Sequence, residues 1–335
     1  MRRSRSFHGL VVEHACAPLP GDDLERLLDA FPSASGFPTD IVISGRCVGR
    51  DVHLRERWRN LDPVFYLGKM QAWRTAAGYL LTDGHSMVEV DIVARTIRVD
   101  AACDAHEQIP AYVKGMQHMA LGLLLREFGI FAVHAAAVVA QNVGILIPGD
   151  CGSGKTTVAL ALVEAGCLYL GDDRVLVRRG TSGVELLAYP REFHVGPATA
   201  DAFPAWRHAI DSQGVYDGKL ALDPRQAFPD ALRRDWVGPT LVWVPEVEPD
   251  RARSELVPVT QAEAFGRLLG SAALTLVDGI RHAEQHLAVL RALVLRSSSF
   301  RLLLGADLLS EPSRTAGRLL GQAALQASRA VAERQ

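Results

Sequence analysis

Val143-Gly144-Ile145-Leu146-Ile147-Pro148-Gly149-Asp150-Cys151-Gly152-Ser153-Gly154-Lys155-Thr156-Thr157 is the stretch on which the fold of this chain turns. Its first five residues form a short apolar run of the length expected for a buried strand. Gly149 to Thr156 then satisfies G-x-x-x-x-G-K-[ST] at every position. Thr157 to Ala165 is apolar and alanine-rich and stops at Gly166, which reads as a helix closed by glycine. A strand, a glycine-rich turn and a helix in that order form the setting in which such a loop binds phosphate.

The residue types suit that chemistry. Glycines let backbone N–H groups turn toward an anion with no Cβ in the way. The helix that follows points its positive end at the same place. Lys155 is expected on the β- and γ-phosphates and the Thr156 hydroxyl on Mg²⁺, with ATP as the nucleotide. The expected nucleotide contacts are therefore Gly149, Asp150, Cys151, Gly152, Ser153, Gly154, Lys155, Thr156 and Thr157. Cys151 occupies a free position of the motif and reads as a tolerated small residue rather than a redox switch.

Beyond that helix, Leu168-Tyr169-Leu170 reads as the next strand, ending at Asp172-Asp173, 17 and 18 residues after Lys155. The chain thus passes from loop to helix to acidic pair with almost no insertion. Two carboxylates returned so directly to the phosphate site suggest one on the metal and one acting on a hydroxyl nucleophile. An acidic turn exposed to solvent is the plainer alternative.

Taken together, His134-Ala135-Ala136-Ala137-Val138-Val139, the loop from Gly144 to Thr157, and Gly166 through Asp173 resemble the catalytic core of HPr kinase/phosphorylase. The resemblance spans about forty residues. It implies an α/β fold: a P-loop nucleotide-binding domain of HPr kinase type, like that of phosphoenolpyruvate carboxykinase, with a smaller strand-rich N-terminal lobe. It also implies roles. Lys155 would contact phosphate, Thr156 and Asp172 the Mg²⁺, and His134 would lie near the transferred phosphoryl group. Asp173 would act as general base toward a serine hydroxyl. Since strand alternation aims only one of two adjacent side chains at the nucleophile, the division between Asp172 and Asp173 stays open here. A hydrogen-bonding core histidine is the alternative for His134.

The family's downstream glutamate–arginine–glycine signature has no clear counterpart. Arg191, in Tyr189-Pro190-Arg191-Glu192-Phe193-His194, and Lys219, in Gly218-Lys219-Leu220, are the candidate substrate or phosphate contacts in the comparable region. Each also reads as a solvated surface charge. The N-terminal lobe does not look like that of the sugar-regulation enzyme, so HPr itself is not the expected substrate. The chain looks more like the HPr-kinase-like proteins of bacterial biosynthetic clusters, including kinases of ribosomally made peptides such as lasso peptides.

Beyond this core the sequence is coarser. Asp40 to Ser44 is a short apolar run ending at Gly45; Tyr79–Thr82, Asp83-Gly84 and Met87–Ile92 read as strand, tight turn, strand; Thr96–Val99 adds another strand. From Pro110 to Phe128, Val113, Met116, Ala120, Leu123, Leu124 and Phe128 recur at helical spacing, with Gly129 as the stop and Met116 and Met119 as core filler. Residues 1–109 are thus expected to form the lobe and 110–335 the nucleotide domain. Within the latter, Gly196 to Pro229 reads as a loop rich in Pro, Gly and Asp, Gln261–Gly270 and Gly279–Leu295 as helices, and Ser313–Glu333 as a terminal helix.

Across its 335 residues the chain carries a formal net charge of −2, which gives no whole-chain signal for nucleic acid or an anionic membrane. The run Arg55-Glu56-Arg57-Trp58-Arg59 reads as a solvated face. No window approaches the ~18 apolar residues of a membrane helix, and the basic start Met1–Arg5 is not followed by a signal-like apolar stretch. Five cysteines without a CxxC pair suit a reducing cytoplasm better than a disulfide scaffold. The expectation is a cytoplasmic, ATP- and Mg²⁺-dependent kinase of serine on a peptide or protein. A kinase of a small hydroxylated molecule such as free serine, or a nucleotide-binding switch with little turnover, remains open beside it. HPr kinases assemble into rings, so a homo-oligomer is expected from the resemblance alone.

Overall fold

Residues 2–15, 19, 23–48, 61–103, 109–216, 218–273, 276 and 280–332 are described by the computed structural model. The Arg55–Arg59 run lies outside them. The chain divides into two units, Met1–Phe131 with Leu274–Ala283, and Ala132–Ala273 with Glu284–Gln335.

In the first unit, eight strands share one sheet: β1 (Arg3–Phe7), β2 (Leu10–His14), β3 (Ile41–Val48), β4 (Asp62–Leu67), β5 (Met70–Arg74), β6 (Gly78–Thr82), β7 (Met87–Asp91) and β8 (Thr96–Ala102). Their order is β1-β2-β3-β8-β7-β6-β5-β4. The β2–β3 and β3–β8 pairs are parallel. The strand run starting at Ile41 passes through Gly45 rather than stopping there. Asp83-Gly84 opens a four-residue connection, since Thr82 lies opposite Met87. Asp83 accepts from the N–H groups of His85 (2.9 Å) and Ser86 (2.6 Å), and Gly84 takes φ 95°.

A short helix, α1 (Asp23–Asp29), precedes β3, and α2 (Ala111–Leu125) follows β8. Helix α2 packs on β6, β7 and β8, with Val113, Met116, Ala120, Leu121 and Leu124 fully buried. Each such Leu, Val or Met side chain contributes about 1.5–3 kcal/mol. That packing carries the first unit past residue 109, to Phe131. A 3₁₀ turn and Gly129 at φ 69° end the helix.

Contrary to the expectation of cysteines kept reduced, Cys47 and Cys103 form a disulfide, with Cα atoms 5.4 Å apart. The parallel register of β3 and β8 sets Cys47 level with Ala101, two residues from Cys103. A separation of 56 residues hides that pairing in the sequence. The cysteine pattern therefore gives no argument for a reducing compartment. Cys151 and Cys167 are free. Among the described residues no helix is long and apolar enough to cross a membrane.

After β9 (Ile130–Val133), which spans the boundary, the second unit is built on β10 (Ala135–Ala140), β11 (Val143–Pro148), α3 (Lys155–Glu164) and β12 (Leu168–Gly171). These lead into β13 (Val175–Arg179), β14 (Val184–Leu187), β15 (Phe193–Val195), α4 (Pro197–Ala202), β16 (Ile210–Tyr216), β17 (Lys219–Leu222), α5 (Pro224–Ala227) and β18 (Asp235–Val237). The remainder is β19 (Thr240–Val247), β20 (Glu255–Pro258), α6 (Gln261–Ala272), α7 (Ala283–Leu295), β21 (Ser298–Leu304), α8 (Asp307–Ser310) and α9 (Pro312–Ala332). The central sheet has the order β12-β10-β11-β19-β21-β20. Strands β11, β19 and β21 run parallel, and β10 returns on β11 as a hairpin through Gln141 at φ 53°.

The core of this unit joins Ala136, Val138, Ile145 and Ile147 of the sheet to Val158 and Leu162 of α3, and to Trp243, Phe300 and Leu302. This is a mixed α/β architecture with helices packed on sheet.

Residues 196–229 do not form a loop. They hold α4, β16, β17 and α5, and β15, β17 and β16 make a separate three-stranded sheet. β15 and β17, of three and four residues, are too short to show a period of two, and Gly214 interrupts β16. Aromatic packing holds it in place. Phe193 lies 4.9 Å from Tyr169 of β12 and 5.9 Å from Phe228, while Trp206 meets Phe228 at 5.2 Å and stacks on Phe203 at 5.2 Å. β14 and β18 pair directly with each other, Leu186 opposite Trp236.

Candidate functional site

Strand β11 ends at Pro148 and α3 begins at Lys155, so Gly149–Gly154 turns at the carboxyl end of a buried strand. Gly152 (φ 83°) and Gly154 (φ 93°) adopt left-handed backbone that a Cβ would strain. A Cβ at Gly149 would lie 2.6 Å from Ser153 Oγ, and one at Gly154 would run into Leu304 Cδ1. The Asp150 carbonyl closes the turn: it accepts from Ser153 N–H at 3.2 Å and from Lys155 Nζ at 2.8 Å.

Strand β12 delivers the acidic pair to the same end of the sheet. It pairs antiparallel with β10, Gly171 opposite Ala137, which sets Asp172 and Asp173 beside His134 at the start of β10. Asp172 is buried, and its Oδ2 accepts from Thr156 Oγ1 at 2.7 Å. Its other oxygen, Oδ1, is buried with no partner among the described residues. Burial first, and then the negative charge of Asp173, raise the Asp172 carboxyl to about 7. The Thr156 hydrogen bond and the Lys155 charge oppose that rise.

Asp173 has φ 58°, an uncommon conformation for a residue with a side chain. Its carbonyl oxygen accepts from His134 Nδ1 at 2.9 Å. A carbonyl only accepts, so Nδ1 carries the proton and Nε2 is the unprotonated nitrogen of the neutral ring. Burial, and then the charge of Lys155, lower the His134 pKa and favour that neutral form.

Gly171 makes this turn possible. A Cβ there would lie 2.6 Å from the Arg174 carbonyl and 3.2 Å from that of Tyr189. Gly171→Ala is expected to cost about 1–3 kcal/mol through forced backbone shifts. Thermal denaturation checks it: an unchanged melting temperature would mean that the turn relaxes freely.

A cavity of about 320 Å³ opens over these groups. Cys151, Gly152, Gly154, Lys155, Thr156 and Thr157 line one side, with His134 and Asp173. His194, Val195, Gly196, Thr199 and Lys219 line the other. Thr157 Oγ1 and Thr199 Oγ1, 2.9 Å apart, tie the two sides together. Gly149, Asp150 and Ser153 shape the turn without lining the cavity, and Asp172 lies beneath Thr156.

Of the two candidate cations from the downstream region, Lys219 borders the cavity and Arg191 is not among its lining residues. Arg191 is half-buried, and its charge acts on Tyr169 and Arg174. Thr199 escapes sequence reading because it sits in the stretch from Gly196 that looks like an irregular loop, and His194, just ahead of that stretch, because no motif marks it. Arg174, next to the acidic pair, places its guanidinium 5.5 Å from the centre of the Tyr189 ring. Among the described residues no group of three or more His, Cys, Asp or Glu side chains could hold a metal by itself.

No family model matches the chain, and no curated protein matches it in sequence. Among solved structures it is weakly similar to the Hpr(Ser) kinase/phosphatase from Coxiella burnetii. That alignment has a TM-score of 0.29 and 14% identity, and covers 59% of this chain and 98% of the other. A likeness at this level bears no weight for the reaction. The functional reading rests on the loop, the acidic pair and the cavity between them.

Proposed function

We propose that this protein is an ATP- and Mg²⁺-dependent kinase that transfers the γ-phosphoryl group to a serine hydroxyl of a peptide or protein. The observation that carries the reading is the Thr156–Asp172 pair. A hydroxyl and a buried carboxylate bonded at 2.7 Å stand at the start of α3, directly after a complete phosphate-loop motif. Asp173 follows in the cavity wall.

The donor set fits Mg²⁺, which favours oxygen ligands and is commonly held by one or two protein oxygens together with nucleotide phosphates. The orphaned Oδ1 of Asp172 and the Thr156 hydroxyl are the residues that would hold it. When bound, Mg²⁺ neutralises charge on the β- and γ-phosphate oxygens. It would also relieve the cost of a buried carboxylate oxygen without a partner.

The protein's own groups account for the rest of the chemistry. Backbone N–H groups of the loop and the positive end of α3 bind the phosphates. Lys155 exchanges the Asp150 carbonyl for a phosphate oxygen. Asp173 accepts the serine proton, and His134 fixes the carbonyl of that same residue, holding its left-handed backbone in place. His134 thereby acts through Asp173 as a positioning residue.

Incubation with γ-labelled ATP, Mg²⁺ and three acceptors tests the reading: serine-containing peptides, free serine, and water alone. Label on serine of a peptide is the expected result. Label on free serine alone would replace the acceptor by a small molecule. Tight ATP binding with no transfer would reduce the protein to a nucleotide-binding switch, and failure to bind ATP would sink the proposal.

A further inference from the structure

Two ammonium groups border the cavity, and they come from different elements. Lys155 stands at the loop end of α3, with Nζ on the Asp150 carbonyl at 2.8 Å. Lys219 is the first residue of β17, with Nζ 3.5 Å from Sγ of Cys151 in the loop. One partner is a main-chain carbonyl and the other a cysteine sulfur. Among the described residues neither lysine has a carboxylate within ion-pair distance. A cation set against a thiol and bordering a cavity that also presents a phosphate-loop lysine is a poor surface decoration. It is well placed to meet an anion.

The position of Lys219 is built rather than incidental. Gly218, at φ 74°, turns the chain immediately before it. β17 is then clamped to β15 in antiparallel register, Leu220 opposite Val195 and Leu222 opposite Phe193. Phe193 is fully buried against Tyr169 of the central sheet, and Thr199 bonds Thr157 of α3. The backbone carrying Lys219 is therefore referenced to the same strand and helix that set the acidic pair and the loop.

We propose that Lys219 is a second phosphate-contacting lysine, moving from Cys151 to the terminal phosphate so that the γ-phosphoryl group is held between a loop lysine and a lysine of the facing sheet. The inference rests on the kinase reading above. In the transfer, the bond from γ-phosphorus to the β,γ-bridging oxygen breaks and ADP keeps the electron pair. The bond from the serine oxygen to phosphorus forms, and the serine proton passes to Asp173. Lys219 gives charge and no proton: it offsets the negative charge spread over the phosphoryl oxygens, the part a cationic finger plays in other phosphoryl transfers. A lysine suits a contact that must travel, because its flexible stem carries a compact charge.

The test is calorimetric titration of the full chain with Mg²⁺ and either ADP or a non-hydrolysable ATP analogue, for wild type, Lys219→Met and Lys219→Arg. Thermal denaturation of each variant checks the fold. Lys219→Met is expected to lose about tenfold in affinity for the triphosphate and less than about threefold for ADP. Its kcat should fall by about 100-fold, with Lys219→Arg restoring most of the triphosphate affinity. Unchanged triphosphate affinity in Lys219→Met overturns the inference, and so does an equal loss for both nucleotides, which would place Lys219 on the inner phosphates or in the support of the sheet. If wild type binds neither nucleotide, the kinase reading itself has failed. If wild type binds and Lys219→Met binds equally well, only the role of Lys219 has failed.

Discussion

Asp173→Asn is expected to lower phosphoryl transfer by about 10³-fold while ATP affinity stays within about threefold of wild type. Asparagine keeps the shape of aspartate and tolerates left-handed backbone, so φ 58° at this position does not become a new source of strain. The carbonyl oxygen that accepts from His134 is part of the main chain and survives the substitution. Only the proton-accepting oxygen is lost. Asp173→Ala would be a poorer experiment, since it removes the carboxylate and strains the backbone together. Single-turnover kinetics beside calorimetric ATP binding separates chemistry from affinity. Near-normal turnover in the Asn variant would remove Asp173 from the reaction.

Asp172→Asn should have two effects of opposite sign: loss of Mg²⁺-dependent transfer, and a gain in stability that grows with pH. In the folded chain burial and the Asp173 charge raise the Asp172 carboxyl to about 7, whereas in the unfolded chain it titrates near its ordinary ~3.9. Between those values the folded state retains a proton that the unfolded state has released. This group's contribution to stability is therefore fully present below the unfolded pKa and is lost as pH rises through the folded one. The Asn variant has no such loss. Its stability relative to wild type should widen from pH 5 to pH 8, reaching about 1–3 kcal/mol. Thermal denaturation of both proteins across that range provides the check. A difference that does not vary with pH would mean that Asp172 is not held protonated by its surroundings.

How far the sequence reveals the molecule depends on how local each feature is. The turn between β11 and α3 can be read because its glycines, lysine and threonine are contiguous, and each answers to a backbone angle or a charge. The β6–β7 turn and the end of α2 are readable for the same reason, through Asp83-Gly84 and Gly129. The sheet carrying Lys219 is not. Phe193, Trp206 and Phe228 lie far apart along the chain and meet only in the fold, and the three-residue β15 is too short to show alternation.

The Cys47–Cys103 disulfide depends on a parallel register between strands far apart in sequence, which no spacing rule supplies. Nor can a sequence show that His134 binds a main-chain carbonyl, because any residue could offer that oxygen.

The direct pairing of β14 with β18 has a consequence for how the cavity is held together. The polypeptide leaves the sheet after Leu187 and rejoins it next door at Asp235, and the Ala188 N–H bonds the Arg234 carbonyl at 2.8 Å across the neck of the excursion. One bank of the cavity, with His194, Thr199 and Lys219, is thus borne on a single excursion whose Phe193, Phe203, Trp206 and Phe228 share a buried core with the central sheet. The opposite bank, with the loop and the acidic pair, is locked into the central sheet. Both banks thus meet at β12, where Tyr169 packs on Phe193 and its carbonyl accepts from the Arg233 N–H at 2.9 Å, so a change at that one strand shifts the two together.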